Sequence, residues 1–378
     1  MIPRFVFTAI AFAACLAAPA DAREQWSKAE AQAWYARQPW LVGSNYIPRT
    51  AINQLEMWQA DSFDPATIDQ ELGWAQSLGM NTMRVFLHDL AWEQDREGFK
   101  TRIDHFLSIA AKHKIRPIFV LFDSCWDPNP VAGKQHPPIP GVHNSGWVQS
   151  PGTARLAHPG SYRLLETYVK DIVGRFADDK RILAWDLWNE PDNEADQYPK
   201  TPDKTKLVAG LIGQVYDWAQ AADPTQPLTS GVWIGDHWDR FEKLGEIEKV
   251  QLSRSDVNSF HDYSWPETFA DRVRQVQSYG RPVLCTEYMA RGNGSTFDGS
   301  LPVGKKRNVA MINWGFVDGK TQTRFPWDSW NKPYTREEPT LWFHEIFRAD
   351  GTPYRPAEVD MIRAYTTSPK GVAPLLAK

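Results

Sequence analysis

The sequence predicts an α/β protein folded as one (β/α)8 TIM barrel, and three observations lead to this fold class. Short apolar segments alternate with longer segments of helical periodicity, which indicates a parallel sheet with crossover helices. Eight such apolar segments can be counted, and eight is the number of strands in a closed barrel. The chain of 378 residues also has no internal repeat and no low-complexity linker that would divide it into domains.

The first 22 residues are typical of a signal peptide, because a positive start precedes an apolar run and a small-x-small cleavage motif that ends at Ala22. The apolar run is too short to serve as a membrane span. We therefore expect a secreted or periplasmic protein whose barrel occupies residues 23–378. Lipid attachment at Cys15 is an alternative that fits less well, because Phe12 is a poor match to such a site.

The eight predicted strands are mostly continuous apolar runs, as expected for strands that are buried on both faces. They cover residues 40–46, 82–87, 117–122, 183–188, 228–233, 257–261, 283–286 and 310–316. Five helices are predicted between them, the first of which opens with Asp64 as its N-cap and Pro65 in its first turn. The other four cover residues 103–113, 162–176, 206–222 and 268–279.

Two long segments without periodicity follow predicted strands, at residues 123–159 and 317–339. Segments of this length that lack secondary structure are usually functional in a compact domain. Because both follow strands, we expect them at the C-terminal face of the barrel, where the active sites of this fold lie.

The composition narrows the class of partner. The net charge is -4 and no basic patch stands out, so neither nucleic acid nor an anionic membrane surface is favoured. The 18 Trp residues are unusual for a core, and although most of them are expected to be packing residues, such an excess often lines a site that stacks sugar rings. A carbohydrate substrate is therefore expected. Cys125 and Cys285 lie far apart in the mature chain and predict two free thiols, and nothing predicts an oligomeric state.

Two predicted strands end in a carboxylate. Glu190 follows Trp188-Asn189 and precedes Pro191, which cannot extend the strand ladder and favours an extended conformation at Glu190. Glu287 ends another strand about a hundred residues later, between Thr and Tyr. Glycoside hydrolysis usually requires two such carboxyl groups on either side of the scissile bond. Taken alone, Glu190 would more readily be a cap of the next helix, and Glu287 is only a weak signal.

Together, the Trp-Asn-Glu-Pro and Thr-Glu-Tyr strand ends resemble those of the retaining glycoside hydrolases of clan A, and the chain is most similar to glycoside hydrolase family 5, the cellulase and mannanase family. This resemblance implies that Glu190 is the general acid/base and Glu287 the nucleophile of a double displacement. It also implies a β-linked oligosaccharide or polysaccharide substrate, with glucan or mannan favoured, and polysaccharide degradation as the role.

The resemblance extends to other strand ends. Arg84 matches the family's arginine that keeps the nucleophile ionised, and Asn189 matches the asparagine that holds the sugar 2-hydroxyl. His261 matches a histidine that contacts substrate or the acid/base, and Tyr263 matches a tyrosine that bonds the nucleophile. Trp314 is expected to be the aromatic floor of the sugar subsite; Trp327 or Trp330 could take this place instead.

One position departs from the family pattern. Asp123 stands after the third strand, where family members often carry His, and either binds a sugar hydroxyl or caps a turn. The chemistry needs no cofactor, and His136 and His143 in the first long loop lack the carboxylate or Cys spacing of a metal site. Three alternatives remain: a carbohydrate-binding barrel without hydrolytic activity, a transglycosylase and an inverting hydrolase.

Overall fold

The computed structural model of the protein describes residues 22–372 and Pro374, and it shows the predicted (β/α)8 barrel. Eight parallel strands form one sheet in the order β5-β4-β3-β2-β1-β8-β7-β6. The expected signal peptide lies, except for Ala22, outside the described residues. No helix in the described part of the chain is both long enough and apolar enough to cross a membrane.

All eight predicted strands are present. They are β1 (Val42–Tyr46), β2 (Thr82–Phe86), β3 (Arg116–Asp123), β4 (Ala184–Asn189), β5 (Leu228–Thr229), β6 (Asn258–His261), β7 (Val283–Glu287) and β8 (Ala310–Asn313). The fifth strand is shorter than predicted, since only two of its residues pair regularly with β4. Beyond it the chain crosses to β6: the Val232 amide donates to the Ser259 carbonyl at 3.1 Å, and the His261 amide to the Val232 carbonyl at 2.9 Å. These bonds close the barrel between β5 and β6.

Among the described residues, the five predicted helices are present and seven others accompany them. The twelve are α1 (Lys28–Ala36), α2 (Gln54–Trp58), α3 (Pro65–Ser77), α4 (Asp89–Gln94), α5 (Arg96–Lys112), α6 (Thr153–Leu156), α7 (Tyr162–Arg175), α8 (Lys204–Ala221), α9 (Glu246–Arg254), α10 (Pro266–Gln277), α11 (Phe297–Arg307) and α12 (Pro356–Thr367). Helix α5 starts seven residues earlier than predicted, because Asp95 accepts a hydrogen bond from the Gly98 amide and caps it there. Most of the unpredicted helices are short, and α11 contains a proline that masks it in the sequence.

The interior of the barrel changes from apolar to polar along the strands. Ile118, Ala184, Leu284 and Ile312 pack together in an apolar layer inside the barrel. Because side chains alternate along a strand, Asp186 points into the same interior as Ala184 but nearer to the C-terminal end of β4. It meets Arg84 of β2 there in a fully buried ion pair. The barrel interior is therefore apolar toward the N-terminal ends of the strands and contains charged groups beneath the expected active-site face.

The two long loops pack against each other above that face. Asn144 of the first loop donates its amide to the Thr321 carbonyl of the second at 2.8 Å. Trp126 stacks on Trp330 with ring centroids 5.3 Å apart. The loops thus form one wall at the C-terminal end of the strands, as their positions after β3 and β8 predict.

Candidate active site

Glu190 and Glu287 lie close together at the C-terminal face. Glu287 is the last residue of β7 and Glu190 immediately follows β4. One carboxylate oxygen of each lies within 4.8 Å of the other and of a ring nitrogen of His261, at the end of β6. Both carboxylates are nearly buried, with 8% and 5% of Glu190 and Glu287 exposed. Three separate strands therefore bring these groups to one point.

Glu287 is held on both of its oxygens. Arg84 donates from Nη1 to Oε1 at 2.9 Å, and the Tyr263 hydroxyl donates to Oε2 at 2.6 Å. Both bonds favour the ionised carboxylate, the first through a full positive charge. Arg84 and Tyr263, the predicted partners of Glu287, therefore both bond to it directly.

The Arg84 guanidinium is the centre of a buried polar network. Its Nε donates to Asp186 Oδ2 at 2.9 Å, and its Nη2 donates to Asn189 Oδ1 at 2.7 Å. A third partner is Asn45, whose Oδ1 accepts from Nη1 at 2.9 Å. Since Arg84 is fully buried, these acceptors compensate for its lost hydration and fix the plane of the guanidinium.

Three donors surround the Glu190 carboxylate. His261 Nδ1 lies 2.9 Å from Oε1, Asn193 Nδ2 donates to Oε2 at 2.6 Å, and the Cys125 thiol donates to Oε2 at 3.2 Å. None of the three is a cation like Arg84. Glu190 therefore lacks the direct bond to a cation that Glu287 makes with Arg84.

The backbone at Glu190 differs from the extended conformation that Pro191 favours. Its φ is 41°, in the left-handed region. The chain leaves β4 through a tight turn in which the Asn193 amide donates to the Glu190 carbonyl at 2.8 Å. The expectation of an extended residue was wrong, because this turn and the contacts of the side chain outweigh the preference imposed by proline.

The two carboxyl groups compete for one proton. Burial raises the pKa of Glu190 and the pKa of Glu287 above their usual range, and the charge of Glu190 raises the pKa of Glu287 further. The direct bonds from Arg84 and Tyr263 oppose this rise at Glu287, because they stabilise its ionised form. Glu190 has no direct bond to a cation, and this difference is the one that a general acid beside a nucleophile requires.

His261 lies behind the two carboxylates. Burial lowers the pKa of His261 to about 4, so the ring is neutral at pH 7. Its Nε2 is buried without a partner, and we therefore assign the proton to Nδ1, which faces Glu190. The ring contacts the acid/base, one of the two roles that the resemblance implies, and does not line the cavity.

Asp123 supports the site from below instead of lining the cavity. Its Oδ1 accepts from Asn189 Nδ2 at 2.9 Å and from the Cys125 amide at 3.0 Å. Its Oδ2 accepts from Trp147 Nε1 at 2.6 Å and from Gln54 Nε2 at 3.2 Å. With 1% of its surface exposed and both oxygens occupied, Asp123 has no free oxygen for a sugar hydroxyl. Of the two predicted roles, these contacts favour the turn cap, since Oδ1 accepts from the amide two residues further on, and Asp123 also orients Asn189.

A cavity of about 470 Å³ opens above the two carboxylates. Of the predicted substrate-binding residues, Asn189, Tyr263 and Trp314 line it. Trp314 is held by edge contacts to Phe86 and Trp147, with ring centroids 5.9 and 5.8 Å apart. Trp327 lines the same cavity, whereas Trp330 does not line it and stacks on Trp126. Of the three candidates for the aromatic floor, Trp314 and Trp327 therefore lie at the cavity, which Trp126 and Trp233 also line.

Gly315 allows the chain to turn sharply after Trp314. Its φ is 81°, and a Cβ atom at this position would lie 2.5 Å from the His344 Cβ. A larger residue would push the loop after β8 away from the barrel. The glycine thus places Trp314 at the cavity while the chain turns away from β8.

Four participants were not predicted from the sequence: Asn45, Asp186, Cys125 and Asn193. Asn45 lies at the end of β1 and Asn193 in the turn after Glu190, where a small amide residue carries no distinctive signal. Asn193 follows Glu190 by three residues, the spacing at which a side chain can reach back within a turn. That spacing is the one feature that could have indicated it.

The same geometry could attract a metal ion. The donor atoms of Glu190, His261 and Glu287 form a possible three-ligand group within the described ranges. Glu287 is already bonded to Arg84, whose charge opposes a second cation beside it. The ionic environment therefore fits carboxylate chemistry better than a resident metal.

Comparisons with known proteins find similarity to β-mannanases in part of the sequence. No protein-family model matches the chain. The chain is 25% identical over 192 residues to the mannan endo-1,4-beta-mannosidase A of Hypocrea jecorina, which covers 43% of this chain and 41% of that protein. It is 26% identical over 151 residues to a probable mannan endo-1,4-beta-mannosidase C of Aspergillus terreus, covering 34% and 37%. The matches thus span less than half the length of these relatives.

Solved structures share the barrel over more of the chain. An exo-beta-1,4-mannosidase from Opitutaceae bacterium strain TAV5 superposes with a TM-score of 0.57 at 19% identity, covering 86% of this chain and 59% of that one. A GH5_18 variant from Streptomyces cattleya in complex with Manb1-4GlcNAc gives 0.58 at 12% identity, covering 88% and 82%. At these identities the likeness shows the fold.

The fold and the paired carboxylates define a class, the TIM barrels that carry two glutamates at the ends of β4 and β7. Within that class, the sequence relatives and the shared barrel confirm the resemblance to the clan A glycoside hydrolases of family 5.

Proposed function

We propose that the protein is a retaining β-glycoside hydrolase that cleaves β-mannosidic bonds by double displacement. The observation that carries this proposal is the proximity of Glu190 and Glu287, whose nearest carboxylate atoms lie within 4.8 Å. Retaining glycosidases place the two carboxyl groups about 5–5.5 Å apart, whereas inverting enzymes leave about 6.5–9.5 Å for a water molecule. The observed spacing supports the retaining mechanism.

In the first step Glu287 attacks the anomeric carbon and Glu190 donates its proton to the leaving oxygen. Arg84 and Tyr263 hold Glu287 ionised and fix the direction of its two oxygens. Burial raises the pKa of Glu190, which favours the protonated form that a general acid needs. The products are a covalent glycosyl-Glu287 intermediate and the free alcohol of the leaving group.

In the second step the departed leaving group makes room for water. Glu190, now ionised, removes a proton from that water, which attacks the anomeric carbon and releases Glu287. The hydrogen bonds from His261 and Asn193 stabilise the carboxylate form that this step requires. The net change is hydrolysis of one glycosidic bond with retention of configuration.

The choice of mannose rests on the relatives and on the site together. The curated relatives are named mannan endo-1,4-beta-mannosidases, and the cavity presents Asn189 beside the nucleophile. Asn189 is oriented by Arg84 and Asp123, so that it can meet the sugar 2-hydroxyl, the group whose orientation distinguishes mannose from glucose. β-Mannan or a manno-oligosaccharide is therefore the proposed substrate, with β-glucan as the competing one.

The test is hydrolysis of a panel of aryl β-glycosides together with mannan, glucan and xylan polymers. We expect activity on β-mannosides, loss of that activity in Glu287→Gln, and release of the β-anomer first when the reaction is followed by NMR. In Glu190→Ala, substrates with good leaving groups should be spared relative to those with poor ones.

A matched control is Glu71→Gln. Glu71 is a fully buried glutamate that bonds Tyr46 and Arg49 away from the cavity, and burial raises the pKa of Glu71 to about 7. This variant should keep its activity. Release of the α-anomer would reject the retaining mechanism, transfer to excess sugar acceptor would indicate transglycosylation, and binding without turnover would leave a carbohydrate-binding barrel.

We also propose export of the protein, which the signal-peptide pattern in the first 22 residues supports. Expression of the full chain in a bacterium should yield a periplasmic product that begins at Arg23. A product that keeps residues 1–22 in the cytoplasm would reject export, and lipid attached at Cys15 would support the alternative anchor.

A further inference from the structure

Lys204, the first residue of α8, is a buried cation bonded only to neutral acceptors. Its ammonium group donates to the Ser124 carbonyl at 2.8 Å, to Gln149 Oε1 at 3.1 Å and to the Asn193 carbonyl. Three N–H donors therefore meet three acceptors. Within residues 22–372 and Pro374, its hydrogen bonds go only to these neutral oxygens and not to a carboxylate, and only 3% of the residue is exposed. Such burial of an uncompensated charge costs stability, so the position needs another explanation.

Two of the residues that accept from Lys204, Ser124 and Asn193, lie in the segments that contact Glu190. Asn193 places its side-chain amide 2.6 Å from Glu190 Oε2 and its backbone amide 2.8 Å from the Glu190 carbonyl. Ser124 directly precedes Cys125, whose thiol lies 3.2 Å from the same Oε2. Lys204 thus joins, through one ammonium group, the two loops that supply the contacts to this oxygen.

The backbone that Lys204 fixes is strained. Glu190 has a φ of 41° and precedes proline, and an unfavourable conformation of this kind costs on the order of 1–3 kcal/mol. It persists only where the surroundings impose it. Ser124 contributes as well, because its hydroxyl donates to the Pro191 carbonyl at 2.8 Å. Hydrogen bonds from Ser124 and Asn193 therefore hold the turn, and Lys204 donates to the backbone carbonyls of both residues.

We propose that Lys204 is a positioning residue for the general acid, an inference that rests on the proposed function. By holding Ser124 and Asn193, it keeps the strained strand end in place and aims the Glu190 carboxyl at the leaving oxygen. Misplacement of a reacting group by about 1 Å can reduce a rate by roughly 100-fold. Lys204 acts through Asn193 and does not touch the sugar.

The electrostatic surroundings give the direction of the expected pH effect. Burial lowers the pKa of Lys204 to about 8. The thiol and the carboxylates that face the ammonium group oppose this shift, and they belong to Cys125, Asp123, Glu194 and Asp192. At pH 7 the group is charged. Removing its charge and loosening the Asn193 hydrogen bond both disfavour ionised Glu190. The pKa of Glu190 should then rise, and the alkaline limb of activity should move to higher pH.

The experiment compares Lys204→Met with Lys305→Met. Lys305 is a matched buried lysine that donates to the Tyr365 and Ser368 carbonyls, each at 2.9 Å, and lies beneath the opposite end of the barrel. Both variants should lose stability. Only Lys204→Met should lower kcat/KM by roughly tenfold or more for aryl β-mannosides with poor leaving groups while sparing good ones, since only the former need the acid.

Equal losses on both substrate types in Lys204→Met, with an unmoved alkaline limb, would overturn the proposal. Should Lys204→Met fail to fold, Asn193→Ala removes the contact to Glu190 while leaving the backbone carbonyl for Lys204. It should show the same leaving-group dependence, and absence of that dependence would also count against the proposal.

Two readouts need no turnover and separate this inference from the proposed function. Carbon NMR of labelled Glu should show a higher pKa for Glu190 in Lys204→Met than in Lys305→Met. Amide hydrogen exchange should increase at residues 192–194 in the first variant alone. If both readouts are unchanged while the wild type hydrolyses β-mannosides, the positioning role falls and the proposed function stands. If the wild type hydrolyses no glycoside but both readouts change, the proposed function is rejected, while the effect of Lys204 on the position and pKa of Glu190 is supported.

Discussion

The Tyr263 hydroxyl donates a 2.6 Å hydrogen bond to Glu287 Oε2, the oxygen that Arg84 leaves free. The two donors therefore divide the carboxylate between them, one oxygen each. A phenol supplies no charge, so its contribution can be removed without leaving an unpaired ion. This makes Tyr263 a suitable place to measure how the nucleophile is kept ionised.

We predict that Tyr263→Phe raises the pKa of Glu287 and lowers kcat/KM. A hydrogen bond to a charged group contributes about 1.5–3 kcal/mol, equivalent to roughly 10- to 150-fold in rate if it is lost from the transition state. The sign follows from the bond itself: it stabilises the ionised carboxylate, so its loss favours the protonated form. The acid limb of the kcat/KM profile on an aryl β-mannoside should therefore move to higher pH.

The matched control for that measurement is Tyr168→Phe. The Tyr168 hydroxyl is also buried and bonded, but its partner is the Leu121 carbonyl in β3 at 3.2 Å, outside the cavity. The control should lose some stability and keep its pH profile. An unchanged acid limb in Tyr263→Phe would show that Arg84 alone sets the ionisation of Glu287.

Asp123→Ala tests whether Asp123 acts from below the site. The substitution leaves the donors of Asn189, Trp147 and Gln54 unpaired in a buried region, and each unpaired donor costs about 1–3 kcal/mol. We expect a lower midpoint in urea unfolding and a lower kcat. A residue that only bound a sugar hydroxyl would raise KM and leave the unfolding midpoint unchanged, and that result would favour the sugar-binding alternative.

The barrel was largely predictable because its strands are encoded locally. A run such as 117–122 is apolar throughout, and the structure places β3 at Arg116–Asp123. The shortness of β5 was not predictable, since it results from the crossing of Val232 to β6, a contact between distant segments. Sequence periodicity does not encode where a barrel closes.

The candidate site was also predictable only in part. Glu190 and Glu287 could be found because each ends an apolar strand within a distinctive motif. The role of Asp123 could not, because whether it faces the cavity depends on Trp147 from the long loop, 24 positions away. Lys204 carried no signal either, since a lysine at the start of a helix normally indicates a solvated residue.

Glu345 should make the protein less stable as the pH rises. Burial raises the pKa of Glu345 to about 8, with Oε1 bonded to Thr323 and Oε2 buried without a partner. Since the folded pKa exceeds the unfolded value near 4.5, the folded state binds the proton more tightly. Its contribution to stability is complete below about pH 4.5 and is lost progressively as the pH rises toward 8. Urea unfolding at pH 5 and pH 8 should show a smaller difference in Glu345→Gln than in the wild type, and an equal difference would contradict the assignment.

Trp314 and Trp327 should contribute to different parts of substrate binding. Trp314 is wedged against Phe86 and Trp147 beside Glu287, whereas Trp327 is 38% exposed. Trp327 also lines a second, open groove of about 1100 Å³ next to the cavity. A sugar at the reacting position would thus meet Trp314, and units further along a chain would meet Trp327.

We therefore expect Trp314→Ala to lower kcat/KM for aryl β-mannosides and for mannan alike, because both place a sugar at the reacting position. Trp327→Ala should chiefly raise KM for mannan, by roughly 5- to 150-fold if one stacking contact of about 1–3 kcal/mol is lost, with little change for an aryl monosaccharide. Trp265→Ala serves as the comparison, since Trp265 is 66% exposed and lines neither the cavity nor the groove. If Trp327→Ala impaired both substrates equally, Trp327 would be the floor of the reacting subsite, and the groove beside it would not hold the substrate chain.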